Sequence, residues 1–358
     1  MFKFQDKETA KKIINRLGRM DLDIKVMHVC GTHQDTLVRY GLDEMLSEVG
    51  VNIRQGPGCP VCVTTPLEIE EAITLARSGK TITTFGDMLR VPGEDTSLSE
   101  VRAEGGDIRT VYSINESVEL ARKTDKEVIF MAVGFETTTP PTAVTILGDP
   151  PDNFSILTCH RVIPPAMEAI LRMGELKIDG FIDPGHVSVI IGMRPYEFIS
   201  DEFNVPQVIA GFEPLDLLMG VFMIAKQIED GVAKVENEYS RVVRKEGNSK
   251  AIEVINKVFE PTDTRWRGFS AIPGSGLSLR KEFEMYDARK RYKGELEDLK
   301  NMVFEEPKGC KCGEVLRGII TSDECPLFGG VCTPQNPVGP CMVSREGSCN
   351  ILLRHKRV

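Results

Sequence analysis

Two thiols three positions apart, Cys59 and Cys62 in Gly56-Pro57-Gly58-Cys59-Pro60-Val61-Cys62, have the type and spacing to do chemistry. Such a pair can meet on the first turn of a helix, close as a disulfide, or chelate one metal. Thr65-Pro66-Leu67-Glu68 follows, with a capping-box residue at each end and proline at the first helical position, so a helix is expected to begin there. Its positive end faces the thiols and favours thiolate over thiol, which makes either cysteine a candidate nucleophile, redox partner or ligand.

More thiols gather near the C-terminus: Cys310, Cys312, Cys325, Cys332, Cys341 and Cys349, with Pro and Gly between them and little helical period. A segment of this kind buries too little apolar surface to fold unaided, so a metal centre is expected to organise it. It holds no histidine before His355. All-thiolate ligation suits structural zinc or an iron–sulfur cluster. Zinc sites favour closely spaced cysteine pairs, and the wide gaps after Cys312 tilt the reading towards a [4Fe–4S] cluster.

The remaining candidates follow short apolar runs that read as strands. Runs at 24–29, 51–54 and 81–85 deliver Cys30-Gly31-Thr32-His33, the Cys59/Cys62 loop and Gly86-Asp87-Met88. After a loop at 92–106, runs at 108–112, 127–133, 154–158, 180–182 and 208–210 follow. Glu136 lies in the loop after the second of these five. Cys159-His160-Arg161, Asp183-Pro184-Gly185-His186 and Gly211-Phe212-Glu213-Pro214 follow the last three. Ligands in open α/β sheets sit outside the carboxyl ends of strands. The expected fold is therefore α/β, with two similar parallel-sheet lobes, 24–125 and 126–215, around a cleft. A mostly helical, loop-rich iron–sulfur domain comes from 1–23 and 216–358. The first three strands are expected to share one layer, and Pro273-Gly274-Ser275-Gly276 reads as a turn. Taken singly, Cys30 reads as a core cysteine, His186 as a turn residue, Glu136 as a cap of the next helix, and Cys159-His160 as structural.

At 358 residues the chain exceeds the usual single-domain size, and with 41% hydrophobic and 27% charged residues it has an ordinary globular composition. A net charge of -9 argues against a general nucleic-acid binder. The basic Arg354-His355-Lys356-Arg357 reads as a solvated tail. No apolar run suits a membrane span and the N-terminus lacks a signal-peptide core, so a cytoplasmic location is expected. Ten cysteines in a reducing compartment point to metal or redox chemistry rather than a disulfide framework.

Five motifs, taken together and in order, resemble the HypD family of hydrogenase maturation factors over essentially the whole chain. They are Cys30-Gly-Thr-His33, Gly56-Pro-Gly-Cys-Pro-Val-Cys62, Gly134-Phe-Glu-Thr-Thr-Thr-Pro-Pro141, Pro184-Gly-His-Val-Ser-Val-Ile190 and Cys332-Thr-Pro…Cys341-Met-Val-Ser…Cys349. The resemblance implies a three-domain α/β protein with one [4Fe–4S] cluster. It implies a scaffold for the Fe(CN)2CO unit of [NiFe]-hydrogenase, with HypC and the cyanide-donating HypE as partners. Carried over, Cys30 is the iron ligand, and His33, Asp87, Glu136 and His186 line its cleft. Cys59 and Cys62 are the redox pair between cleft and cluster. Cys312, Cys325, Cys332 and Cys349 are the cluster ligands, leaving Cys310 and Cys341 to form a second dithiol or exchange with a ligand.

Elementary chemistry agrees with these expectations. Iron carrying CO and cyanide wants soft donors, and one thiolate leaves it under-ligated, so a partner must supply more. A cluster and a dithiol together offer one-electron and two-electron capacity. That describes a scaffold with redox activity rather than a conventional turnover enzyme. The competing expectations are an iron–sulfur-dependent thiol–disulfide oxidoreductase acting on a protein partner and a zinc-stabilised binding module.

Overall fold

The computed structural model describes residues 6–304 and 306–355. Its strands are β1 Ile24–His28, β2 Val51–Gln55, β3 Thr81–Thr84, β4 Ile108–Thr110, β5 Val128–Gly134, β6 Phe154–His160, β7 Gly180–Pro184, β8 Gln207–Ala210, β9 Val235–Asn237, β10 Phe259–Arg265 and β11 Ala271–Leu279. The first nine form two parallel sheets, ordered β2-β1-β7-β8-β9 and β4-β3-β5-β6. Every residue of β5 to β8 is buried, as parallel strands covered on both faces require.

The strands do not divide between sheets at residue 125. After β2 the helix Pro66–Arg77 carries the chain into the second sheet, which takes β3 to β6 consecutively. The helix Ile163–Met173 brings it back to β7, which pairs with the free edge of β1. So β3 does not share a layer with β1 and β2. Adjacency in sequence predicts adjacency in a sheet only while the crossovers stay within it. Two topological switch points result, one between β1 and β7 and one between β3 and β5, and such points are where open α/β sheets bind ligands.

The inner faces of both sheets share one core, with Met27, Val29, Phe181 and Ile209 from the first and Ile129, Met131, Val133 and Leu157 from the second. Cys312, Cys332, Cys341 and Cys349 belong to the same cluster, so the cysteine-rich segment is packed into the body of the protein. The region after 215 is helical and loop-rich, as expected. Besides β9 it contains the antiparallel β10–β11 hairpin, and Pro273-Gly274-Ser275-Gly276 lies within β11, where Gly276 bridges to Arg161. Arg354 and His355 both reach Asp35, which docks the C-terminal helix on the helix Gly31–Arg39 instead of leaving a solvated tail. Lys356 and Arg357 lie outside the described residues. Among the described residues no helix is long and apolar enough to cross a membrane.

Thr65 and Glu68 make the expected capping box, and Glu68 does more. Its carboxylate accepts two bonds from Arg161, at 2.7 and 2.8 Å, where both side chains are buried. Burial alone would raise the Glu68 pKa, but the Arg161 and Arg289 guanidiniums hold it below the usual carboxylate range. The contribution of this pair is therefore present above the ordinary glutamate pKa and lost as pH falls through the depressed one. Arg161→Met strands Glu68 and is expected to destabilise the fold by about 3–5 kcal/mol at neutral pH. The loss is expected to shrink in acid. Denaturant titrations at both pH values check this, and a pH-independent loss would contradict it.

Candidate functional site

Cys30 follows β1 as the N-cap of the helix Gly31–Arg39, and His186 lies just beyond β7 across the first switch point. Cys30 Sγ lies 3.7 Å from His186 Nδ1. Burial pushes the thiol up to about 12, against the opposing pull of the His33 and Thr32 backbone N–H groups. Burial also lowers His186 to about 4, so the imidazole beside the thiol is neutral at physiological pH. His33 is driven well below its ordinary value by burial and by His28 and His186. Neither of its ring nitrogens makes a well-formed hydrogen bond, although the Ala210 and Gly211 carbonyls are near. The Phe212 ring stands 5.3 Å from His33 and 5.7 Å from His186, giving the thiol an aromatic, water-poor wall.

Cys59 and Cys62 form a disulfide, and both are fully buried. The helix end nearest to them is not the one beginning at Pro66. Cys59 itself caps the four-residue helix Pro60–Val63, its sulfur accepting from the Cys62 N–H at 3.2 Å. The glycines before it permit a close approach: a Cβ on Gly58 would stand 2.1 Å from the Cys30 nitrogen. Gly31 N–H donates to the Gly58 carbonyl at 3.2 Å. On the other side Cys62 Sγ lies 4.0 Å from the Pro340 carbonyl, next to Cys341. The disulfide thus sits between the Cys30 backbone and the C-terminal cysteines.

Asp87 and Glu136 follow β3 and β5, which flank the second switch point. Asp87 is exposed and accepts from Ser344 Oγ at 3.1 Å. Two residues on, the Glu346 backbone packs against Gly31, where a Cβ would meet its carbonyl at 2.5 Å, so Asp87 reaches the Cys30 neighbourhood through this loop. Glu136 is buried; Oε1 accepts from Ile163 N–H at 2.9 Å and Oε2 has no partner. It caps the helix Ile163–Met173, not the helix next in sequence.

Burial lifts the Glu136 carboxyl from 4.5 to about 7. The folded protein therefore favours its neutral form, and a cost to stability grows as pH rises from the ordinary glutamate value through the raised one. At 1.36 kcal/mol per unit that cost is roughly 3 kcal/mol when complete. Glu136→Gln is expected to unfold at higher temperature than the parent at pH 8 and to lose most of that advantage at pH 5. Equal differences at both pH values would contradict the assignment.

The C-terminal cysteines, all six, line one pocket with Val315, Leu327, Phe328 and Met342. Cys312 touches Cys310 and Cys341, and Cys341 touches Cys349. The Val338 N–H donates to Cys332 Sγ at 3.3 Å. Gly339 makes room, since a Cβ there would approach Cys310 Sγ to 2.7 Å. Among the described residues no three His, Cys, Asp or Glu side chains stand in metal-ligating geometry. The donor set itself fits an iron–sulfur cluster: sulfur only, apolar walls, and a backbone amide bonded to a thiol. Of the expected Cys310–Cys341 pair, each thiol meets Cys312.

Cys159 and His160 lie in the second sheet, with His160 Nε2 3.2 Å from Thr142 Oγ1. Sequence reasoning did not single out His28, Asp183, Tyr196 or Phe212 as site residues. Asp183 and Phe212 occur in the strand-end loops quoted above and His28 in the run before Cys30, and that position was the available signal. Tyr196 comes from the first turn of the helix Arg194–Phe203 and carried none.

The chain matches the HypD family, described as "Hydrogenase formation hypA family", over residues 6–356. It is 47% identical to a hydrogenase expression/formation protein of Methanocaldococcus jannaschii, across 100% of both chains. It is 42% identical to the hydrogenase maturation factor HypD of Cupriavidus necator, covering 97% of this chain and 94% of that one. The HypD of Azotobacter vinelandii is 43% identical with the same coverage, 97% and 94%.

Proposed function

This chain belongs to the HypD family of hydrogenase maturation factors, and we propose that in this role it is the scaffold and redox protein for assembling the Fe(CN)2CO unit of [NiFe]-hydrogenase. In this reading it binds iron together with HypC and receives cyanide via HypE. The observation that carries it is the buried Cys30 thiol 3.7 Å from a neutral His186 at a topological switch point.

A thiol with so high a pKa stays protonated until a soft metal displaces the proton, and His186 Nδ1 is placed to accept it. Cys30 then offers iron one soft thiolate and leaves the other positions to diatomic ligands and HypC. His33 and Phe212 keep water from those positions. The Cys59–Cys62 disulfide, once reduced, holds two electrons beside the Cys30 backbone. A [4Fe–4S] cluster held among the C-terminal thiols would supply one-electron steps. Cys325, Cys332 and Cys349 are common to every ligand set considered. The fourth ligand is Cys312 by family resemblance; it touches both Cys310 and Cys341, so either of those thiols stands ready to exchange with it.

Anaerobic copurification with HypC tests the reading. Iron is expected in excess of acid-labile sulfide, the surplus being the scaffolded iron. Equal amounts would leave only a cluster protein, as the oxidoreductase alternative requires.

A further inference from the structure

Asp183 is fully buried and neither of its carboxyl oxygens has a hydrogen-bond partner. Register fixes where it stands. Ile182 pairs with His28 and Asp183 with Ile209, so Asp183 lies one step beyond the last β1–β7 pair, beside the turn that delivers Cys30. Strand alternation puts it on the face of Phe181, which is turned towards the second sheet. From that sheet comes Glu136, whose Oε2 is also buried and unpartnered.

The Tyr196 hydroxyl joins them. Ser188 Oγ donates to the Pro184 carbonyl at 2.9 Å and lies 3.2 Å from the Tyr196 oxygen. With the serine proton committed to the carbonyl, the phenol donates to Ser188. Asp183, Glu136 and Cys30 all stand close enough to act electrostatically on Tyr196, and burial surrounds all four groups. Packing does not explain three orphaned carboxyl oxygens there, because leaving such groups unpaired weakens the fold.

We propose that Asp183 is a further binding residue of the Cys30 site, its carboxyl hydrogen-bonding the nitrogen of a cyanide carried on the iron at Cys30. This rests on the scaffold reading above. Burial holds the carboxyl well above its usual range, so it keeps an O–H to donate. Metal-bound cyanide retains a lone pair on nitrogen and accepts hydrogen bonds well, whereas the oxygen of metal-bound CO is a poor acceptor. A donor at one position and an apolar wall at another therefore sort the two ligands, and a site built to pair a polar group rejects a ligand that cannot. Asp183 then sets where cyanide sits relative to CO.

The test compares Asp183→Leu, which fills the space without a donor, with Asp183→Asn, which keeps one. Each is isolated anaerobically with HypC and HypE and read by infrared spectroscopy, iron retention against a chelator, and thermal unfolding. Asp183→Leu is expected to unfold no earlier than the parent, to show displaced cyanide bands with CO less affected, and to retain iron about tenfold less well, the factor one lost hydrogen bond gives. Asp183→Asn is expected to stay close to the parent. Cyanide bands and retention unchanged in Asp183→Leu would overturn the proposal. So would equal losses in both variants accompanied by early unfolding, which would mark a structural role. If the parent complex lacks both cyanide and CO bands, the scaffold reading fails, and this inference with it.

Discussion

A Cys30→Ser protein is expected to copurify with HypC and keep its cluster colour, yet to lose the iron in excess of acid-labile sulfide. Oxygen is a hard donor and low-spin iron with π-acceptor ligands is soft, so the exchange removes this chain's proposed ligand to the iron. The fold is expected to survive. Cys30 is buried, but serine fills nearly the same space and its hydroxyl has His186 Nδ1 nearby, so the change in stability is expected to be about 1 kcal/mol. Iron analysis with a parallel thermal melt reads both quantities. Surplus iron retained by Cys30→Ser would remove Cys30 from the mechanism.

Alanine replacement through the C-terminal cysteines is expected to divide them sharply. Cys325→Ala, Cys332→Ala and Cys349→Ala are expected to bleach the protein and open 306–355 to proteolysis, because the segment has only short helices and a small share of the core to hold it. Cys341→Ala is expected to keep its colour. Between Cys310→Ala and Cys312→Ala, the one that bleaches names the fourth ligand, which is Cys312 if the family resemblance carries over. The damage is expected to spread to the Cys30 site, since Ser344 bonds Asp87 and Glu346 packs on Gly31. Full iron content in all six variants would contradict a cluster in this pocket.

The strands were legible because buried parallel strands read as unbroken apolar runs; 127–133 and 154–158 became β5 and β6 nearly unchanged. Their partition was not legible. Nothing local to 180–184 says that β7 will pair with β1, more than 150 residues earlier in the chain, instead of with β6. The β10–β11 hairpin was missed for another reason: Glu260, Pro261, Thr262 and Asp263 face outwards or lie half-buried, and Pro261 and Pro273 resemble loop punctuation. In the site, Cys30, His33 and His186 were found because special residues followed predicted strands. Asp183 was passed over because Asp-Pro-Gly reads as turn chemistry, and only burial reveals a carboxyl with no partner. Tyr196 sits inside the helix Arg194–Phe203, where an aromatic residue reads as core.

The most direct measurement is the infrared spectrum of the protein isolated anaerobically with HypC and HypE. The scaffold account predicts C–O and C–N stretching bands that move on carbon-13 labelling and vanish in Cys30→Ser. A brown complex that has neither band, yet passes electrons to a partner's disulfide, would contradict it.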